Sequence, residues 1–336
     1  MRKIMAAILF FALCVPALAA DLAAGQQAYN KGDFATALNE LLPLAKQGNG
    51  AAQAFLGYMY EHGQGVPQDY KEAVRWYRLA ADQGNAFAQS HLGFMYYEGQ
   101  GVPQDYKEAL RWYRNAADQS DAKAQVILGV MCDEGKGVSQ DYKEAAKWYR
   151  LAGDQGEAIA QLRLGYMYGQ GHGVPQDYKE AARWLRLAAD QGDVDAEFVL
   201  GTMYNEGRGV PQDYKEAVRW FHLAAEQGKA SAQSNLGIMY SLGQGISQNY
   251  KEAVRWLRLA ADQGEVGAQS VLGFMYELGL GVQQDYIQAH MWFNLAGAAG
   301  DAKGIKERDE IASKMTPDQI AEAQRLAREW KPKSSQ

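Results

Sequence analysis

The first candidate for chemistry is a glycine-rich run, GQGVPQDYKEA, which occupies residues 63–73 and returns unchanged at residues 99–109. A glycine-rich loop that leads into a helix can cradle phosphate with its backbone N–H groups, which would make the run part of a nucleotide site. A phosphate-binding loop follows a strand, however, and a nucleotide-binding protein needs only one such loop for each site. Versions of this run recur seven times along the chain, so we interpret it as a structural turn.

Other reactive side chains are few and dispersed. Cys132 stands where the other copies of the pattern have tyrosine, and we expect a small buried residue there, with a reactive thiol as the alternative. The sequence has no Gly-x-Ser-x-Gly elbow for a serine nucleophile. None of the histidines lies at a metal-ligand spacing from another histidine or cysteine; they are His62, His91, His172, His222 and His290. We therefore predict no catalytic residue, no metal and no cofactor.

The first twenty residues have the pattern of a secretory signal. Two basic residues precede an apolar run from Ile4 to Val15, and small residues follow, so we expect cleavage after Ala19 or Ala20. The apolar run is too short to span a bilayer, and no later stretch is apolar enough. The sequence thus predicts a signal peptide over residues 1–20, a periplasmic or secreted protein, and no transmembrane segment.

The charge and the cysteines of the remaining chain narrow the choice of partners and compartments. Without the two basic residues of the signal, 32 basic and 40 acidic residues leave a net charge of −8. An excess of negative charge argues against broad binding to nucleic acid or to anionic membranes. Once Cys14 has left with the signal, Cys132 has no partner in the chain, so packing alone must hold the fold.

A period of 36 residues governs the chain. Tryptophan recurs at this spacing from Trp76 to Trp292, and the first glycine of the turn does so from Gly63 to Gly279. A fixed period in this range is typical of stacked repeat proteins, in which no unit buries its apolar face alone. We assign seven repeats to residues 49–300 and predict an all-α fold, an α/α superhelical solenoid of helix-turn-helix repeats.

Each repeat is predicted to contain two helices. AAQAFLGYMYEHG has apolar residues at helical spacing and ends at Gly63. DYKEAVRWYRLAADQG begins with Asp69, which we predict to form a capping box with Glu72, and ends at Gly84 in the left-handed conformation. In the third unit Ser120 takes the place of that glycine, and we expect a local weak point there.

The recurring pattern LGxMYxxGxGVxQDYxEAxxW resembles the Sel1-like repeat, a relative of the tetratricopeptide repeat with a longer turn, in its secreted bacterial type. This resemblance implies that the first helices line a concave groove that holds proteins or peptides. One cysteine-rich branch of the family is linked to β-lactam binding or hydrolysis, but this chain lacks the paired cysteines of that branch.

The two ends of the chain depart from the repeat, as the ends of a solenoid must. Residues 21–48 form a degenerate N-terminal repeat in which Gly25 and Ala37 lie 12 residues apart, a spacing that resembles the tetratricopeptide repeat. For residues 301–336 we predict capping helices and a frayed tail. The last of these helices has the sequence of a capping box between Thr316 and Gln319.

Because recurrent residues maintain the architecture, we look for a binding face where the copies differ. The second helix scarcely varies, and we interpret its arginines and glutamates as solvated ion pairs, with a site for an anionic partner as the alternative. The first helix varies most. Aromatic rings beside carboxylates there suit a partner with apolar and basic side chains, unless the rings pack between repeats. The candidate binding residues are Tyr58, Glu61, Phe87, Phe94, Tyr97, Glu98, Asp133, Glu134, Tyr166, Phe198, Glu206, Phe274 and Glu277.

The sequence therefore predicts a non-catalytic scaffold of the bacterial envelope that binds a protein or peptide in a groove lined by the first helices. Two alternatives remain open at this point. One is a hydrolase of cell-wall or β-lactam substrates, and the other is a module that binds glycan or peptidoglycan through aromatic stacking.

Overall fold

The computed structural model describes residues 22–333, and every regular element in that range is an α-helix. A leading pair, α1 (22–30) and α2 (Phe34–Lys46), precedes the repeats, each of which supplies a first and a second helix. The first helices are α3 (Gly50–His62), α5 (Ala86–Glu98), α7 (Ala122–Glu134), α9 (Ala158–Gln170), α11 (Val194–Glu206), α13 (Ala230–Leu242) and α15 (Val266–Leu278). The second helices are α4 (Tyr70–Ala81), α6 (Tyr106–Ala117), α8 (Tyr142–Asp154), α10 (Tyr178–Ala189), α12 (Tyr214–Glu226), α14 (Tyr250–Asp262) and α16 (Tyr286–Ala298). Two closing helices follow, α17 (Ala302–Ala312) and α18 (Pro317–Glu329).

The predicted fold class, an all-α solenoid of tandem helix-turn-helix repeats, is confirmed. The described chain forms two compact units. The first unit runs to Ala160 and includes His172–Val174, and the second comprises Gln161–Gly171 and the chain from Pro175 onwards. The predicted signal peptide, residues 1–20, lies outside the described residues.

Each second helix begins at a side-chain cap, but the predicted capping box is wrong. The Asp69 carboxylate accepts hydrogen bonds from the backbone N–H groups of Lys71 and Glu72, which confirms it as the N-cap of α4. Its own N–H already donates to the carbonyl of Tyr60 at 2.9 Å, so Glu72 has no free donor to bind. The Glu72 carboxylate instead accepts from Arg75 at 2.9 Å.

The glycines of the turn serve the backbone, as predicted. Gly99 ends α5 in the left-handed conformation with φ of 72°, which glycine adopts without steric cost. Gly101 has the same φ and lies so close to the preceding repeat that a Cβ atom there would be 2.3 Å from the carbonyl oxygen of Tyr70. The side chain of Gln104 donates to the carbonyl of Tyr97 at 2.8 Å and closes the turn.

The apolar core crosses the boundaries between repeats. Trp112 of α6 packs with buried residues of the preceding second helix and of its own first helix, among them Tyr77 and Leu92. Tyr77 in turn rests on Gly57 of α3, where a Cβ atom would lie 2.5 Å from the ring. Each repeat therefore completes the core of its neighbour, which is the property that the period predicted.

A ladder of buried side-chain amides forms a second connection between repeats. Gln89, only 5% exposed, donates to the carbonyl of Ala81 at 3.1 Å and accepts from the side chain of Gln119 at 2.8 Å. Such pairing satisfies polar groups that burial would otherwise penalise. In the fifth repeat the corresponding residue is Glu197, which accepts from Gln227 at 2.9 Å. The sequence reasoning did not find this ladder.

The C-terminal helices close the second unit. The predicted capping box is confirmed, because the Thr316 hydroxyl accepts from the N–H of Gln319 and the Gln319 side chain accepts from the N–H of Thr316. The expectation of a frayed tail is wrong for residues 331–333. Lys333 donates its backbone N–H to the carbonyl of Asp262 at 2.7 Å, and its ammonium lies 2.7 Å from the Asp262 carboxylate. The tail thereby satisfies the carbonyl end of α14.

Candidate functional site

Two candidate residues, Tyr58 and Phe87, meet in the first unit and line a cavity of about 360 Å³. Tyr29 of α1 and Phe55 of α3 complete its aromatic wall. The ring centroids are 5.6 Å apart for Tyr29 and Phe55, 6.2 Å for Tyr29 and Tyr58, and 5.8 Å for Tyr58 and Phe87. The remaining lining residues are Ala51, Ala54 and Asn85. The cavity is therefore an aromatic pocket with little polar surface.

Glu61 is not the exposed groove residue that was expected. It is 8% exposed, and its carboxylate accepts hydrogen bonds from the Tyr77 hydroxyl at 2.5 Å and from Nδ1 of His91 at 2.9 Å. Burial alone would raise the pKa of the Glu61 carboxyl. The hydrogen bonds from His91 and Tyr77, with the charges of His91 and His62, outweigh it and lower the pKa below its ordinary value. Glu61 is thus a buried, satisfied anion.

His91 connects that carboxylate to the aromatic pocket. Its ring lies 4.2 Å from Phe87 and 5.6 Å from Tyr58, and it stacks on Tyr77 at 5.1 Å. Because the ring is fixed both by stacking and by its hydrogen bond to Glu61, one wall of the pocket is preorganised. We define the aromatic pocket as the cavity lined by Tyr29, Phe55, Tyr58 and Phe87.

The other candidates of the first unit do not join this pocket. The Tyr97 hydroxyl accepts from the ammonium of Lys136 at 2.8 Å, and the same ammonium lies 2.8 Å from the Glu134 carboxylate. Tyr97 and Glu134 therefore share one lysine. Phe94 is 38% exposed, Glu98 is exposed and Asp133 is half-buried.

In the second unit, Tyr166 and Glu206 line one small cavity of about 150 Å³. The remaining candidates there lie apart and have partners of their own. Phe198 lies 5.9 Å from Phe221. Phe274 contacts Phe293 at 5.0 Å with edge-to-face geometry, and the Glu277 carboxylate is 2.9 Å from the ammonium of Lys314.

Most carboxylates predicted to make the groove acidic are neutralised within the chain. Besides Glu61, Glu134 pairs with Lys136, Glu206 with Arg208 at 2.9 Å, and Glu277 with Lys314. In the pairs of Glu134 and Glu206, the basic residue lies two positions after the glutamate, inside the glycine turn. The sequence analysis considered only the face of the first helix and therefore did not predict these pairs. Few of these carboxylates therefore remain unpaired to attract a basic partner.

The second helices carry the predicted solvated ion pairs. In five of these helices an arginine lies 2.9–3.3 Å from the glutamate three residues before it, and both side chains of each pair are partly exposed. Each guanidinium also lies over the neighbouring tryptophan ring, as Arg75 does over Trp76 at 4.9 Å. The pairs are Arg75–Glu72, Arg111–Glu108, Arg183–Glu180, Arg219–Glu216 and Arg255–Glu252.

Groups with catalytic potential are buried or separated. Cys132 is fully buried, as expected, and burial raises the pKa of its thiol to about 11. The sequence analysis did not notice one Ser-x-x-Lys spacing. Ser120 and Lys123 have the separation of a serine nucleophile and its base. Ser120 precedes α7 in a left-handed conformation, and both side chains are exposed with no hydrogen bond between them among the described contacts.

Neither a metal cluster nor a membrane helix occurs in the part of the chain that the structure describes. Between residues 22 and 333, no three histidine, cysteine, aspartate or glutamate side chains are grouped so that they could hold a metal ion. Over the same range no helix combines the length and the apolar character needed to cross a bilayer.

Stacked two-helix repeats, whose recurrent residues serve packing and whose first helices carry variable exposed rings, define a helical-repeat scaffold. The chain belongs to the Sel1 repeat family. The Sel1 repeat matches residues 50–85, 86–121, 122–157, 158–193, 194–229, 230–265 and 266–301. Members of this family commonly serve protein interaction and are generally non-catalytic.

Solved structures support the same assignment. A protective antigen of uropathogenic Escherichia coli with an SLR fold is 30% identical, with 93% of this chain and 91% of that chain covered and a TM-score of 0.57. A Sel1 repeat protein from Oxalobacter formigenes is 36% identical, with 71% and 96% covered and a TM-score of 0.61. The comparison with curated proteins gave no match.

Two residues of the aromatic pocket, Tyr29 and Phe55, were missed by the sequence reasoning. The variability of its repeat position could have identified Phe55. The equivalent residues of the later repeats are histidine, isoleucine, arginine, valine, asparagine and valine. Tyr29 had no such signal in the repeat pattern, because it belongs to the degenerate leading unit.

Proposed function

We propose that this protein is a non-catalytic scaffold of the bacterial envelope whose first helices bind a protein or peptide. The observation that carries the proposal is the exposure of variable aromatic residues on those helices. Phe87 is 46% exposed, Phe94 38% and Tyr166 37%. The position of Phe87 holds a small, charged or aliphatic residue in every other repeat, and the position that Phe94 and Tyr166 share changes among aromatic, aliphatic and polar residues. Exposed rings on rigid helices are the residues that most often anchor a protein partner.

The second helices make a poorer interface. Their exposed leucines recur at one position with nearly constant exposure, as with Leu79 at 41% and Leu259 at 43%. In five of the seven second helices an arginine and a glutamate of the same helix neutralise each other. A face that repeats itself in this way offers no distinct position for a specific partner, whereas the first helices differ from copy to copy.

Site-specific photo-crosslinking in cells tests the binding face. A photoreactive amino acid at Phe94 is compared with the same amino acid at Leu79, a side chain of similar exposure on the second helix of the preceding repeat. We expect one discrete adduct from position 94 and none from position 79. Equal adducts at both positions, or an adduct from position 79 alone, would contradict the proposed face.

The envelope location rests on the predicted signal peptide and has its own test. Cell fractionation with N-terminal sequencing should find a mature chain that begins at Ala20 or Asp21 outside the cytoplasm. Recovery of an uncleaved chain from the cytoplasm would remove the envelope from the proposal and leave the binding face untouched.

A further inference from the structure

We propose that the aromatic pocket takes one aromatic side chain, tryptophan or phenylalanine, of the partner peptide, and that this side chain is its anchor. The inference rests on the proposed function, because it names the chemistry that the first helices of the first unit would recognise. Three observations support it: the size of the cavity, the arrangement of its rings and its lack of free charge.

The size fits one large side chain. The volume of about 360 Å³ is near the lower end of ligand pockets, which start at about 300 Å³. A folded segment would not enter such a space, whereas a single bulky ring fits into it together with part of the adjoining backbone. The pocket is also open to solvent at the side of Phe87, which is 46% exposed.

The arrangement of the rings favours another ring over a cation. Tyr29 meets Phe55 at 63° and Tyr58 at 80°, so neighbouring rings contact edge to face. An entering aromatic ring can continue this pattern, because the positive ring edge attracts the negative ring face. A cation is held best where several ring faces turn toward one point. The edge-to-face contacts of Tyr29 with Phe55 and Tyr58 show that these rings do not share one orientation.

The charge on the walls points the same way. Glu61 is joined to the pocket wall through His91, and its carboxylate already accepts from Tyr77 and His91. The Tyr29 hydroxyl donates to Gln64 at 2.6 Å. A charged side chain would leave water without gaining a partner of opposite charge on these walls, whereas an uncharged ring has no such loss.

Asn85 supplies a polar contact at the rim. Its side-chain oxygen caps α5 by accepting from the N–H of Ala88 at 2.9 Å, so the amide nitrogen is left as a donor. A backbone carbonyl of the bound peptide would accept from it while the adjacent ring enters the pocket. Asp121 and Asp193 fill the same capping role in other repeats, so aspartate at position 85 would keep the cap and remove the donor.

The experiment titrates the mature protein with N-acetyl amides of tryptophan, phenylalanine, leucine and lysine, followed by NMR. We expect the tryptophan and phenylalanine amides to shift resonances of the pocket residues and to bind at least about tenfold more tightly than the leucine and lysine amides. Preferential binding of the lysine amide would overturn the proposal in favour of a cation site. Shifts spread over the whole protein, with no preference among the amides, would also overturn it.

Variants separate the pocket from the fold. Phe87→Ala opens the wall and Ala51→Trp fills the cavity, and each should weaken the tryptophan amide by about tenfold or more. Asn85→Asp should weaken it less, and Leu79→Ala should leave it unchanged. Thermal melting reports whether each variant is folded. If folded Ala51→Trp protein binds the tryptophan amide as well as the parent does, the pocket is not the site.

The same variants distinguish this inference from the proposed function. If photo-crosslinking at position 94 still captures its partner in the Ala51→Trp protein at the parent level, the binding face stands and the anchor is wrong. If the tryptophan amide binds in the pocket but no first-helix position captures a partner, the pocket stands and the proposed scaffold function is wrong.

Discussion

At the scale of single residues, Glu197 is the clearest departure from the repeat. The other six repeats have glutamine at this position, and most of these amides donate to the end of the preceding helix, as Gln233 does to the carbonyl of Ala225 at 3.0 Å. An ionised carboxylate cannot donate. We therefore expect Glu197→Gln to raise the free energy of unfolding by about 1–2 kcal/mol at neutral pH, measured by urea denaturation. Gln233→Glu is the matched reverse change and should destabilise the protein by a similar amount.

This effect should depend on pH with a defined sign. Burial raises the pKa of Glu197, and the hydrogen bond from Gln227 offsets only part of that rise. A raised carboxyl pKa means that the folded state binds the proton more tightly, so ionisation of Glu197 destabilises the protein above the folded-state pKa. The advantage of Glu197→Gln should shrink as the pH falls through that pKa toward the ordinary value for glutamate. An advantage that is constant from pH 7 to pH 4 would contradict this account.

Cysteine in place of tyrosine at position 132 changes the partner of a nearby arginine, Arg114. In three other repeats the corresponding tyrosine hydroxyl accepts from an arginine of the preceding second helix, as Tyr96 does from Arg78. Cys132 offers no such acceptor, and Arg114 pairs instead with Glu144 at 2.5 Å.

The thiol of Cys132 should be unreactive in the folded protein. It is buried, and its pKa is raised to about 11, so the thiolate that reacts with labelling reagents is scarce at pH 8. We expect native labelling by a maleimide to be slow and to become fast only in denaturant. Rapid, stoichiometric labelling without denaturant would show an accessible, activated thiol.

At the scale of the elements, the linker between α6 and α7 has the strained residue that the sequence indicated. Ser120 has φ of 68°, while the equivalent Gly84 has φ of 85°, and a Cβ atom at Gly84 would meet no other atom within 4 Å. The strain is therefore conformational only. Ser120→Gly should stabilise the protein by up to about 1 kcal/mol and Gly84→Ser should destabilise it by a similar amount, as followed by thermal melting. Equal and opposite shifts are the signature, and a loss of stability in both variants would contradict it.

The sequence predicted the elements better than it predicted the site. The period located both helices of each repeat, the aspartate caps and the left-handed glycines, because each depends on residues close together in the chain. Glu61, Gln89 and Tyr29 depend on partners 30 or more residues away, such as His91 for Glu61 and Gln64 for Tyr29. Repeat positions show that such residues vary or recur, but not which neighbour they meet.

At the scale of the whole molecule, a repeat chain must cover the apolar surface of its last repeat, and α17, α18 and the tail do so here. Ile311 of α17 is fully buried in the same cluster as Trp292 and Phe293 of α16, and Trp330 lies 6.5 Å from Trp292. A mature chain that ends at Gly300 would expose this cluster to water. Because repeat stability is a sum over neighbours, such a chain also loses the interface that holds its last repeat.

We therefore expect the chain that ends at Gly300 to lose at least about 3 kcal/mol and to aggregate, as measured by denaturation and light scattering. A chain that ends at Glu329 keeps both helices and loses only the contacts of Trp330 and Lys333, so its loss should be intermediate. A chain that ends at Lys333 is the matched control and should match the full-length protein. If all three melt alike, α17 and α18 do not close the solenoid, and the apolar face of α16 must be stable without a cover.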